Sequence, residues 1–247
     1  MSHFVVLVET KKYVSDEDSQ ELSKTLRNFY EGNEDVDEKY LAFEDETSYV
    51  EEKYEELSEE VKKEYKDVYD FADEYFGYRT IEKDGEKKIG WFYNSQAKWD
   101  WYDIGGRWDN LLKTKSGEFV NCCQIKDLDL SPDKEKYEQA LRWWNLYVEK
   151  GLDNLTDSEK EEVGFVWYKP EYYKERYGTA EAYATKVASL SAYAILAKGE
   201  WLEPGEMGWF GISNASTENE RNWDKNFLNI IKSLDPEHYI TVVDCHI

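Results

Sequence analysis

The run Lys98-Trp99-Asp100-Trp101-Tyr102-Asp103-Ile104-Gly105-Gly106-Arg107-Trp108 gathers three Trp and a Tyr around one Arg. Indole and phenol faces stack on a planar ligand, a guanidinium fork holds phosphate or carboxylate, and paired glycines let backbone come close or take positive φ. A second loop of related composition, Glu203-Pro204-Gly205-Glu206-Met207-Gly208-Trp209-Phe210-Gly211, lies further along the chain. Two such loops suit a pocket with aromatic walls and a few polar anchors. Trp99, Trp101, Tyr102, Arg107, Trp108, Glu206 and Trp209 are accordingly the candidate ligand-binding residues. Each has a structural alternative. The Trp side chains can fill a core, Arg107 can neutralise a buried Asp100 or Asp103, and Glu206 can cap backbone amides.

The sequence holds three histidines, and two of them, His3 and His246, sit near its opposite ends. If the strands that carry them are neighbours in one sheet, the two imidazoles face each other, with Asp244 on the same face as His246. Two His beside an Asp can donate to a bound anion, which adds His3 and His246 to the ligand-binding set. They can also serve as acid and base on a phosphodiester or glycosidic bond, which makes His3, Asp244 and His246 an alternative catalytic set that needs no metal. The structural alternative is packing of strand ends. No phosphate-cradling loop, dinucleotide turn, nucleophile elbow or zinc-protease helix occurs, so common nucleotide hydrolases and dehydrogenases lose weight. Cys122, Cys123 and Cys245 form no CxxC unit, and adjacent extended residues point to opposite faces. Reduced thiols are expected, with no metal and no cofactor.

These residues need a scaffold, and 247 residues with 40% apolar content can build one. The formal charge of −23, from 54 acidic against 31 basic side chains, disfavours a grip on long nucleic acid, which relies on Lys and Arg. A small anion in a local basic pocket, or a basic protein partner, stays open. The opening Ser2-His3-Phe4-Val5-Val6-Leu7-Val8-Glu9 predicts a strand covered on both faces and central in a sheet, and no signal peptide or membrane span is expected.

Apolar spacings of three and four from Val50 to Tyr75 predict a long helix or a pair broken near Ser58. Hairpins are expected at Asp84-Gly85 and Ser116-Gly117, with the aromatic run between them as an ordered loop or short helical turn on a sheet's edge. Helices are expected after Ser15, after Ser131-Pro132, after the Thr156–Glu159 capping box, over Thr179–Leu190 and over Glu218–Leu234. A Tyr193–Leu202 hairpin turning at Lys198-Gly199 and a last strand, Tyr239–Ile247, complete the pattern. The fold class is α+β: a single domain over 1–247, with one mostly antiparallel sheet that contains both terminal strands and helical insertions around 15–76 and 131–190.

The blocks Ser2-His3-Phe4, Lys98-Trp99-Asp100-Trp101-Tyr102 with Ile104-Gly105-Gly106-Arg107-Trp108, Gly205-Glu206-Met207-Gly208-Trp209 and Val243-Asp244-Cys245-His246-Ile247 resemble a family of tailed-bacteriophage proteins of unassigned function. The resemblance implies a virus-encoded protein in the bacterial host cytoplasm, where such proteins often counter host defence. By that analogy the expected function is a non-enzymatic sponge for a small nucleotide immune signal, of cyclic oligonucleotide or cyclic ADP-ribose type. Stacked bases contribute about 1–3 kcal/mol per aromatic side chain, which suits the Trp-rich loops. The alternatives are a metal-independent phosphodiesterase built on His3 and His246, and an acidic decoy for a basic host protein. The expected partner is a small nucleotide, not long nucleic acid and not a membrane, with a homo-oligomer left open.

Overall fold

A computed structural model of the chain describes residues 2–33, 36–208 and 211–247. In chain order the strands are β1 (His3–Thr10), β2 (Leu41–Asp45), β3 (Arg79–Lys83), β4 (Glu86–Asn94), β5 (Trp101–Ile104), β6 (Leu112–Lys113), β7 (Phe119–Val120), β8 (Cys122–Gln124), β9 (Ala194–Ala197), β10 (Glu200–Leu202) and β11 (Tyr239–His246). The helices are α1 (Gln20–Leu26), α2 (Thr47–Glu55), α3 (Glu59–Lys62), α4 (Val68–Phe76), α5 (Lys134–Trp144), α6 (Asp157–Val163), α7 (Pro170–Tyr177), α8 (Ala180–Ala188) and α9 (Thr217–Lys232).

The fold is α+β. Residues 1–26 and 101–247 form one compact unit and residues 27–100 another. The first unit is built on a six-stranded sheet in the order β10-β9-β1-β11-β5, with β8 also paired to β11. Both terminal strands lie in it, and every pairing is antiparallel except β1 with β9. β1 is central, as its unbroken apolar run demands. On one face Val5 and Leu7 join Ile240, Val242 and, from α9, Phe227 and Ile231 in the main core. On the other face Val6 and Val8 are fully buried, and α1 packs against β1.

Register decides which side chains share that sheet's end. Ladder pairing sets His3 opposite His246 and Val5 opposite Asp244, and on the other side of β11 it sets Trp101 opposite His246 and Asp103 opposite Asp244. Directly opposed residues project to the same face of a sheet. The polar set His3, Asp244, His246 and Trp101 therefore continues the row that elsewhere consists of Val5, Leu7, Ile240 and Val242.

The helices of this unit are started by local side chains. Asp133 caps α5, Thr156 with Glu159 forms the expected capping box of α6, Thr179 caps α8 and Ser216 caps α9. Ser131, two residues before the cap, accepts no helix amide; it donates instead to Asp129. The second unit holds the antiparallel sheet β2-β4-β3 and a small core of Val50, Phe71, Ala72 and Ile89. Its helical stretch is three short helices and not one or two, because Ser58 and Asp67 each accept backbone amides and open a new helix. Among the described residues no helix is long and apolar enough to cross a membrane.

Candidate functional site

The aromatic run divides between an edge strand and a tight turn. Trp101–Ile104 is β5, and Gly106–Trp108 is a single 3-10 turn that follows it. Gly105 and Gly106 have φ of +72° and +52°, and a Cβ on Gly106 would lie 2.5 Å from the Asp244 carboxylate. The glycine pair thus lets the chain fold directly over Asp244, a close approach open to no other residue type. That turn delivers the Arg107 N–H to Asp244 Oδ2 at 3.0 Å.

Asp244 is 2% exposed and is satisfied from two sides. Its second oxygen, Oδ1, accepts from His3 Nδ1 at 2.9 Å. A carboxylate can only accept here, so His3 carries its proton on Nδ1 when neutral, and Nε2 is left as the basic nitrogen. The ring of His3 meets those of His246 and Trp101 edge-on, at centroid distances of 5.1 and 5.5 Å. Trp101 lies nearly parallel to His246 at 5.5 Å, and although His246 is 4% exposed, Trp101 is 44% exposed. The result is an exposed indole face backed by two imidazoles, with a buried carboxylate behind them.

Arg107 stands beside this group. Its side chain is exposed, and among the described residues its guanidinium takes no carboxylate partner. It is an outward-pointing cation in a chain of net charge −23. The alternative in which the Arg107 side chain neutralises a buried Asp100 or Asp103 gives way to a bond from its backbone to Asp244, a residue 137 positions away.

The remaining candidates are dispersed. Tyr102 projects to the opposite face of β5, where its hydroxyl and the Ser23 Oγ of α1 are 2.8 Å apart. Trp99 belongs to the 27–100 unit, where it is 7% exposed and packs against Tyr30 with ring centroids 4.9 Å apart. Trp108 packs partly buried against the main core. Glu206 is an exposed loop residue whose backbone N–H donates to Asn214 Oδ1 at 2.8 Å. Trp209 lies outside the described residues. Of the aromatic set among the described residues, only Trp101 joins His3 and His246.

The other end of β1 offers a comparison within the same fold. Glu9, on the same face as His3, accepts from His238 Nδ1 at 2.9 Å and from the Lys198 N–H at 3.1 Å. Both carboxylates therefore tie one imidazole and one loop amide to the central strand pair. Such a clasp is a structural device in its own right. What Asp244's end has in addition is the exposed Trp101 face and the Arg107 guanidinium. Neither Glu9 nor the backbone donor role of Arg107 carries a signal in the sequence, since both depend on strand register.

Among the described residues no group of three or more His, Cys, Asp or Glu side chains is placed to hold a metal ion. Compared with known proteins, the chain matches no family model, no curated sequence and no solved structure. The site is therefore read from its own chemistry.

Proposed function

We propose that this chain is a phage-encoded anti-defence protein that binds a small nucleotide immune signal and sequesters it in the host cytoplasm. The observation that carries the reading is an exposed Trp101 face at the sheet end where the Arg107 backbone holds Asp244, in a strongly acidic protein, with no carboxylate partner for the Arg107 guanidinium among the described residues. A base stacks on Trp101, and a phosphate takes the Arg107 fork. His3 Nε2 supplies a further polar contact. Trp99 and Tyr102 have no part in it, since one is core to the other unit and the other faces α1.

A second reading rests on the His3–Asp244 contact of 2.9 Å. A carboxylate that fixes the tautomer and orientation of an imidazole is the usual support of a general base. On that reading His3 Nε2 removes a proton from a 2′-hydroxyl or water as its oxygen bonds to phosphorus, the P–O bond to the departing oxygen breaks, His246 gives that oxygen a proton, and the cyclic nucleotide is opened. The recurrence of the same clasp at Glu9 and His238 weighs toward binding without turnover.

One experiment separates the two. The protein is incubated with a panel of cyclic oligonucleotides and cyclic ADP-ribose variants, desalted, heated, and the released material is analysed by chromatography and mass spectrometry. Retention and release of an intact nucleotide is the expected result. A converted product, with conversion lost in His3→Ala, establishes the hydrolytic reading instead. Retention of nothing from the panel, with every nucleotide recovered unchanged in the small-molecule fraction, overturns both.

A further inference from the structure

Helices α7, α8 and α9 enclose a cavity of about 340 Å³ far from the aromatic run in sequence. Arg176, Lys186, Arg221 and Lys225 line it, with Asp224 as the one acidic lining residue. In a chain of 54 acidic and 31 basic residues that inversion is local and pronounced. Phe227, Leu190 and Leu228 supply an apolar wall.

The inner cations are held in place. Arg176, whose side chain is 16% exposed, reaches Glu220 at 2.8 Å, the Tyr172 hydroxyl at 2.7 Å and Asp224 at 3.5 Å. Lys186 donates to Ser191 Oγ at 2.9 Å and also pairs with Asp224. Arg221 donates to the carbonyls of Glu175 and Arg176 at the end of α7. Among the described residues neither Arg221 nor Lys225 has a carboxylate partner, so two carboxylates face four cations. Net positive charge in a partly apolar recess favours an anion, and the surrounding acidic surface excludes anions elsewhere.

Two buried polar atoms on residues of this cavity lack a hydrogen-bond partner among the described residues: Arg176 Nε and Ser189 Oγ. A buried donor without an acceptor is costly, and such groups in folded proteins are normally satisfied by a ligand or water. An oxyanion offers acceptors to both. The apolar wall then takes the body that carries it.

We propose that this cavity is a binding site for a small organic anion, a carboxylate or phosphate on an aromatic or apolar body, independent of the Trp101–Arg107 surface. The test is calorimetric titration of the whole protein with indole-3-acetate, phenyl phosphate, inorganic phosphate and the neutral indole-3-acetamide. Indole-3-acetate or phenyl phosphate binds with sub-millimolar affinity, and inorganic phosphate and the amide bind at least about tenfold more weakly. Which of the two organic anions binds better identifies the headgroup.

Ala182→Phe fills the cavity from an exposed position of α8, and Lys225→Glu reverses charge at an exposed position of α9. Each lowers the affinity about tenfold or more while the melting temperature stays within a few degrees of wild type, and Arg107→Ala leaves it unchanged. Absence of binding by both organic anions, equal binding of the neutral amide, or wild-type affinity in both cavity variants overturns the proposal. Loss of binding in Arg107→Ala would place the anion on the other surface and overturn it as well.

Discussion

Arg107 plays two roles that a single substitution separates. Its backbone N–H holds Asp244, a bond to which the side chain contributes no atom; its exposed guanidinium is the group offered to a ligand. Arg107→Ala is therefore expected to keep stability within about 0.5 kcal/mol of wild type, as exposed substitutions away from packed features do. The same variant loses nucleotide affinity by about 1.5–3 kcal/mol, the worth of a charged hydrogen bond. Thermal melting and ligand titration of this one protein check both halves, and a large fall in melting temperature would show that the side chain braces the fold. Gly106 gives the opposite expectation. A methyl at that position meets the Asp244 carboxylate at 2.5 Å, on backbone with φ of +52°. Gly106→Ala should cost about 2–4 kcal/mol through strain and overpacking, and denaturant unfolding that showed a loss below about 1 kcal/mol would mean that the turn is not pressed against Asp244.

At the scale of elements, short helices in this protein depend on their first turns. The seven-residue α6 is capped by Thr156, and Glu159 closes the capping box while also accepting from Lys150 at 2.9 Å. The Lys150 ammonium first, and then the Thr156 amide, lower the Glu159 carboxyl from its ordinary value of 4.5 to about 2. A depressed carboxylate stabilises the fold above its unfolded value, and the contribution is lost as pH falls through the interval between 4.5 and about 2. Carbon-detected NMR titration should show a Glu159 midpoint near the lower figure, and Lys150→Met should raise it more than Thr156→Ala. A wild-type midpoint at the ordinary value would mean that neither partner holds it. The edge strand β5 shows the limit of reading elements locally. Trp-Asp-Trp-Tyr-Asp has no clear strand pattern, and it is paired because β11 presents a ladder in register with it.

Charge governs the behaviour of the whole molecule. At a formal −23 the folded chain repels itself, and most of its ion pairs are exposed and individually weak. Raising the salt concentration from about 0.01 M to about 0.1 M shortens the screening length from about 30 Å to about 10 Å. The melting temperature should rise by several degrees over that range. A fall would show that attractive pairs such as those around Asp224 outweigh the repulsion. The same field keeps anions from the general surface, so a recess of clustered cations such as the α7–α9 cavity is where an anionic ligand gains most.

The sequence by itself determined what short-range physics controls. The unbroken apolar run of β1, the turns at Asp84-Gly85 and Lys198-Gly199 and the capping box of α6 were all legible, because each rests on periodicity or on contacts a few residues apart. The pairing of His3 with His246 and the place of Asp244 beside them followed from the two-residue period of strands once those strands were set together. Only the tertiary structure decided the rest. Sequence nearness put Trp99 with Trp101, yet the two belong to different compact units; it offered Asp100 or Asp103 to Arg107, whose backbone instead holds an aspartate at the far end of the chain. The cationic cavity draws its residues from three helices and the bend after α8, a grouping no single segment announces. Long-range register and helix packing are set by burial summed over the whole core, and no local pattern of residues encodes that sum.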